Sequence, residues 1–468
     1  MSEHTQSDSS AADVELGQRT VRKVAMRLVP FMGLLYFINY LDRTNIGFAT
    51  LTMSEDLEMT ETMFGIAAGV FFIGYLFLEV PSNLALHKFG ARRWIARIMI
   101  TWGILAAAMG FIQGEWSYYS VRLLLGVAEA GFVPGIILYT TLWFPRKARA
   151  RIVALFLMAI PFAVVLGAPV SALMIEHGHG LLGLDGWRFM FIAQGVPAVV
   201  LGGLTYFLMP SVPERVNWLA SDEKAALRTE LDAERVDALT HGFASIRTSL
   251  FDWRVYTIAL FGFCANMGGY SLSFFLPQVI EGFGAQFGTE FSLFQVGLIT
   301  AIPFGCAAMA LWLNGHHSDK TDERTRHIAL PLLLGAIAVA VALYLPSPLT
   351  VIIAISVAAA GSYAIIPIFW QLPSRFLTGA AAAASMGLIA GLANVAGFIA
   401  PYMTGALKDA TGDFRLGMLV VAAVMLVGAV VAWRLGSRPE FQPHYPPPAN
   451  RADESASPVH QVSLPPDL

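Results

Sequence analysis

Charge is what this sequence has least of. Asp, Glu, Lys and Arg make up 13% of its 468 residues, and hydrophobic residues 56%; an ordinary soluble domain carries about 25% charged residues. That balance excludes a water-soluble globule. Cysteine is nearly absent, and the two present, Cys264 and Cys306, lie in apolar runs without CxxC or Cys/His spacing. Buried thiols fit that pattern, and a disulfide framework or a zinc site does not. His177 and His179 stand close together but have no third ligand nearby, so they read as solvated loop histidines. Nowhere does a nucleophile sit with a base, or a set of metal ligands form, so neither an enzyme nor a cofactor is expected. The net charge of −3 is uninformative in such a chain, because membrane proteins express charge through placement. No nucleic-acid partner is expected.

Apolar length is what the chain does have. Twelve segments, at roughly 28–50, 62–86, 94–113, 117–143, 151–175, 188–209, 254–280, 292–314, 328–346, 349–373, 379–404 and 414–434, are each long enough to cross a bilayer. About 20 apolar residues span the hydrocarbon, and helices satisfy the backbone there. The expectation is an all-α polytopic membrane protein: tail 1–27, six helices over 28–210, linker 211–253, six helices over 254–435 and tail 436–468. Within the linker, SDEKAALRTELDAERVDAL reads as a solvated helix with Ser221 as N-cap. The tail, with HYPPPAN and SLPPDL, reads as extended or disordered.

Basic residues give the orientation. With the N-terminus inside, 25 of the 30 Lys and Arg fall in internal loops and tails, while Glu55, Asp56, Glu58, Glu61, Glu115, Glu281 and Glu290 populate the external side. Both termini are therefore expected in the cytoplasm. Arg188, Lys408 and Arg415 lie at external helix ends, which leaves Arg43 and Arg122 inside spans.

Arg43 belongs to NYLDRTN, Asn39 to Asn45, which places an acid and a base within the first apolar run. A charge at that depth costs about 2.5–3.5 kcal/mol on insertion scales, so it marks function, the alternative being an interfacial pair of Asp42 and Arg43 at a helix end. At 1.5 Å per residue Arg43 stands ~22 Å from the inner edge, and Arg122, entering from outside, reaches ~22 Å as well. Arg122, Gly126 and Glu129 share a helix face, as do Tyr36, Tyr40 and Arg43, while Asp42 is turned about 100° from Arg43. Paired guanidiniums in a low-dielectric chamber select an anion, with a fork that matches carboxylate. Arg43 is the candidate for direct substrate contact. Arg122 reads as partner and tuner of Glu129 or Asp42, or as half of a fixed ion pair. Buried acids that change protonation as partners move make Asp42 and Glu129 candidate proton carriers. Tyr40 and Tyr75 are further candidates for substrate contact, with a packed aromatic as the alternative for Tyr75. Glu79, Lys88 and Arg92 form a candidate gate at the cytoplasmic end, joined by Asp319 of the matching loop.

The loops HKFGARR (His87 to Arg93) and GHHSDKTDERTRH (Gly315 to His327) recur at equivalent places in the two halves. Pseudo-symmetric bundles of this kind bind substrate between them and expose it to each side in turn. Twelve spans, a long central loop and GxxxDK at Gly315, Asp319 and Lys320 resemble the major facilitator superfamily. Within it, NYLDRTNIGFA, GYLFLEVPSNL, RLLLGVAEAGFVPG and PIFWQLPSRFLTG resemble the anion:cation symporter family, which includes proton-coupled permeases for tartrate, hexonates and phthalate. The resemblance implies a monomeric carrier in the inner or plasma membrane that takes up a small carboxylate with protons. It supports the roles given to Arg43, Asp42 and Glu129, and adds Trp370 and Asn394 as substrate contacts. His87 stands where the superfamily usually has Asp, and Ala390, Ile160 and Pro161 make the chamber less polar than in hexonate carriers. A smaller or more apolar carboxylate is favoured. Uncoupled transport or exchange is the alternative, with a membrane enzyme or receptor further off.

Overall fold

The computed structural model describes residues 2–241, 250–373 and 379–436. Arg375 and the proline-rich segment beyond 436 lie outside the described residues. Eleven helices in the described residues are long and apolar enough to cross a membrane. A shorter apolar helix, Arg326–Ala342, takes the twelfth place, where a longer segment is expected from the sequence.

In chain order, α1 (Ser2–Asp56), α2 (Glu61–Phe89), α3 (Ala91–Ala108), α4 (Glu115–Glu129), α5 (Phe132–Thr141), α6 (Arg146–Leu157), α7 (Ala159–Gly178) and α8 (Gly186–Leu208) make the first half. The linker helix is α9 (Ser221–His241). The second half holds α10 (Trp253–Glu281), α11 (Phe283–Phe287), α12 (Leu293–Thr321), α13 (Arg326–Ala342), α14 (Pro348–Tyr363), α15 (Ile366–Gln371), α16 (Gly379–Asn394), α17 (Ala396–Thr411) and α18 (Arg415–Leu435).

The fifth, tenth and eleventh expected segments each divide into two helices, and two further departures have a local cause. The fourth apolar segment is broken between α4 and α5 by Gly131, whose φ of +85° favours glycine and whose missing Cβ would lie 2.4 Å from Ser82 Oγ. The first helix begins at Ser2, far ahead of the apolar edge at Leu28. Its polar stretch is anchored by the linker: Lys23 Nζ donates to Glu223 at 2.7 Å, and the Arg27 guanidinium lies 5.2 Å from the Trp218 ring. The hydrogen bond from Lys23, with another from Ala220 N, holds the Glu223 carboxyl below the usual carboxylate range. Thus α9 is docked on the first half.

The halves approach most closely toward the end that carries the acidic loops. A Cβ on Gly65 would lie 2.4 Å from Pro401 O, on Gly405 2.1 Å from Glu61 O, and on Gly297 2.8 Å from Pro169 Cα. Those three contacts set α2 against α17 and α7 against α12 with backbone nearly touching backbone, as small residues permit in membrane helices. Nearer the other end, a Cβ on Gly387 of α16 would meet nothing within 4 Å.

Two carboxylates fasten this closed end. Asp409, in the last turn of α17, accepts from Glu61 N at 3.1 Å and Thr62 N at 2.7 Å, the first amides of α2. Glu176, in the last turn of α7, accepts from Phe294 N at 3.2 Å at the start of α12. Each half therefore caps a helix of the other. Lys408 adds a hydrogen-bonded ion pair to Glu61.

Candidate functional site

Between the halves lies a small cavity of about 10 Å³, room for roughly one water. Tyr40, Arg43 and Thr44 of α1, Phe71 and Phe72 of α2, and Arg122 of α4 line it from the first half. Tyr270, Ser273 and Phe274 of α10 close it from the second.

The two arginines that helix rise places at matching height lie against one ring. The guanidinium carbons of Arg43 and Arg122 stand 5.3 and 4.9 Å from the centre of Phe71, and Arg43 is also 5.1 Å from Tyr75. Their salt partners differ. Arg43 donates to Glu129 Oε1 through Nε at 2.7 Å and through Nη2. Arg122 sends Nε to Ala67 O at 3.2 Å and has no carboxylate at ion-pair distance among the described residues. Of the pairings expected for Arg122, the one with Glu129 falls to Arg43, and Asp42 pairs with neither arginine. A close helix crossing accompanies the exchange: a Cβ on Gly126 would lie 2.0 Å from Phe71 O, so α2 presses on α4 there. The room beside Gly126 is taken by α2.

Glu129 is fully buried, and its second oxygen, Oε2, has no hydrogen-bond partner. Asp42 points away from Arg43, as the helix spacing requires, into the first half's interior. Trp102 Nε1 donates to its Oδ2 at 2.8 Å and Asn45 Nδ2 to its Oδ1 at 3.2 Å. The chain of polar groups continues from Asn45 to Gln194 Oε1 at 2.7 Å and from Gln194 to Ser171 Oγ at 2.9 Å. Every donor to Asp42 in this set is neutral.

Among the other expected contacts, Tyr40 lines the cavity and packs edge-on against Tyr36, while Tyr75 lies beneath Arg43. Asn394 accepts from Tyr270 OH at 3.3 Å and so reaches the cavity through that ring. Trp370 is 37% exposed and packs on Phe369, away from the lining residues. The four gate candidates stay apart. Asp319 pairs with Arg324 at 2.8 Å inside its own loop, Arg92 lies 4.9 Å from the Tyr206 ring, and Lys88 lies 5.6 Å from Phe89. Glu79 is half-buried with no ion pair among the described residues. The fastening seen here is at the opposite end, on Asp409, Glu176 and Lys408.

Sequence reasoning missed the aromatic wall of Phe71, Phe72, Tyr270 and Phe274, because aromatic residues in a membrane helix give no sign of which face they occupy. It also missed Trp102, Asn45 and Gln194. A signal existed for Gln194, a lone amide within an apolar span.

The model of the Major Facilitator Superfamily matches residues 32–401 and 290–468. The chain belongs to this superfamily. A putative tartrate transporter of Agrobacterium vitis is 47% identical over 419 residues, covering 89% of this chain and 94% of that protein. The putative metabolite transport protein NicT of Pseudomonas putida is 37% identical, covering 91% of this chain and 97% of its own. A partially occluded, inward-open structure of the xylose transporter XylE from E. coli superposes with TM-score 0.69 at 16% identity, over 88% of this chain and 98% of that one. The superfamily member described here is a multi-pass membrane transporter and not an enzyme, and its relatives agree with the anion:cation symporter resemblance.

Proposed function

We propose that this transporter takes up a small organic anion together with protons by alternating access, as a monomer in the inner or plasma membrane with both termini in the cytoplasm. One observation carries the reading: Arg43 and Arg122 flank a single ring on the cavity wall, with Glu129 bound to the first and no carboxylate to the second. A planar cation without a carboxylate partner, in a small chamber walled by aromatic rings, is a receptor for a carboxylate. Burial of such a site raises the cost of any unpaired charge, so occupancy and protonation are linked.

The sequence of events follows from that linkage. The substrate carboxylate docks on Arg122 and competes for Arg43. Glu129, released and already holding one unpartnered oxygen, takes up a proton instead of standing as a bare buried charge. Asp42, held only by neutral donors, gains or loses a proton without breaking an ion pair. The loaded chamber is then neutralised and can reopen on the other face. Tyr40, Tyr75 and Asn394, the last through Tyr270, orient the substrate body, and Trp370 has the weakest claim. Tartrate, carried by the relative's printed name, and aromatic or hydroxy monocarboxylates are the substrate candidates.

Glu129→Gln and Asp42→Asn test the coupling. In proteoliposomes with an inward proton gradient, both should abolish uphill accumulation while downhill exchange survives in at least one. Accumulation undiminished in both removes the assignment.

A further inference from the structure

The turn from α2 into α3 gathers Lys88, Arg92, Arg93 and Arg97, and no carboxylate pairs with any of them among the described residues. At that same end of the molecule other cations are matched: Lys23 with Glu223, Arg149 with Glu234, Arg254 with Asp252 and Arg324 with Asp319. A general excess of positive charge on one face accounts for the number of these residues. It does not account for their setting.

Arg97 lies six residues into α3, ~9 Å along the axis, and its Nε is buried without a hydrogen-bond partner. The side chain runs back toward the helix start, as long cationic side chains do at a membrane edge, and its guanidinium sits 4.0 Å from the Trp94 ring. Trp94 is itself fixed, donating from Nε1 to Ser82 Oγ at 2.9 Å and stacking on Phe89 at 5.5 Å. Arg92 repeats the arrangement on the ring of Tyr206 in α8, again with a buried, unpartnered Nε. Two guanidinium groups thus lie over aromatic rings with no carboxylate at ion-pair distance among the described residues. The start of α3 has no side-chain cap and no acid in its first turn, so the helix dipole opposes these arginines where an anion would favour them.

Immediately below, the wall is apolar and open. Phe89 is 50%, Ile104 55%, Phe207 78% and Leu208 59% exposed. Phe207 and Leu208 follow the Tyr206 ring on which Arg92 lies, and Ile104 is seven residues beyond Arg97 on the same face of α3. An anion with a hydrocarbon body uses both parts, whereas a free phosphate uses only the first.

We infer that this cluster binds the phosphate headgroup of an anionic phospholipid, with Arg92 and Arg97 on the phosphate, Lys88 and Arg93 at its rim, and the acyl chains along Phe207 and Ile104. The site is separate from the transport cavity and does not depend on the proposed coupling. It also gives Arg92 and Lys88 a task other than gating.

Native mass spectrometry of the full chain, released from bilayers of equal phosphatidylglycerol and phosphatidylcholine, reads the site directly. The native protein should retain phosphatidylglycerol in preference to phosphatidylcholine. Each basic group near an anionic surface contributes roughly a fivefold preference, so R92Q/R97Q should weaken retention about 30-fold. K88Q/R93Q, which alters only exposed side chains, should weaken it by a smaller factor and guards against a folding defect in the first variant. R22Q/R326Q, with two exposed cations of the same end, should change nothing. Retention unaltered in R92Q/R97Q, or an equal loss in R22Q/R326Q, overturns the site. In a detergent arm, millimolar inorganic phosphate should leave the melting temperature unchanged while phosphatidylglycerol raises it; equal rises would assign the site to free phosphate and overturn the lipid.

Discussion

Asp409→Ala should loosen the closed end of the transporter by about tenfold. Asp409 sits in the last turn of α17, where a negative charge opposes its own helix dipole. Its place is explained by what it does to α2, accepting from Glu61 N and Thr62 N across the divide between halves. Loss of an N-terminal cap costs about 1 kcal/mol, and the charge at a helix start adds about 0.3–1 kcal/mol where it is exposed. The sum, ~1–2 kcal/mol, corresponds to roughly 5–30-fold in the ratio of closed to open forms. Glu176→Ala removes one amide contact, to Phe294 N, and should give a smaller factor. The two caps lie on different helix pairs, so the factors should multiply. Ala68 is fully buried on α2 beside Gly65 and Gly69, which abut Pro401 and Phe398. Ala68→Cys, in a background with Cys264 and Cys306 replaced by alanine, should react with a membrane-impermeant maleimide at a rate proportional to opening. Asp409→Asn keeps one of the two acceptor oxygens but loses the charge, so it should raise that rate by a distinctly smaller factor. An unchanged rate in Asp409→Ala, or an equal rise in Asp409→Asn, refutes the capping argument.

Other outcomes follow from the same geometry. Gly126→Ala should lower the melting temperature by several degrees, since its Cβ would meet Phe71 O at 2.0 Å and overpacking costs about 1–3 kcal/mol; Gly33→Ala, with nothing within 4 Å, is the neutral control in the same thermal scan. Docking of α9 should weaken in acid. The Glu223 carboxyl is held low by Lys23, so its contribution is fully present above the unfolded value of about 4.3 and is lost as pH falls through the lower folded value. Spin labels at Arg22 and Arg228 should report that separation, and Glu223→Gln should flatten its pH dependence. Tyr270→Phe, which removes the hydroxyl bonded to Asn394, should raise KM for uptake with little change in the maximal rate.

The helical architecture was legible because long apolar runs and biased basic loops are one-dimensional signals. Arg43, Arg122 and Glu129 were legible too, since charges inside apolar runs are rare and helical spacing gives their height and face. Which arginine holds Glu129 was not. That goes with the close crossing of α2 and α4 at Gly126, a contact between segments that spacing along one helix does not encode. Asp409 and Glu176 escaped notice because an acid at an external helix end reads as ordinary solvation until its partner helix is known. The second half's share of the cavity, Tyr270, Ser273 and Phe274, was hidden in a span that has no charge at all.

Coupled uptake requires that protons move with the substrate through the chamber of Arg43, Arg122 and Glu129. Proteoliposomes loaded with a pH-sensitive dye and given no imposed gradient test it most directly, when tartrate and a panel of aromatic and hydroxy monocarboxylates are added outside in turn. At least one acid should acidify the lumen on addition, and Glu129→Gln should abolish that signal while still binding the acid. Substrate entry with no change in internal pH for the native protein would contradict the account.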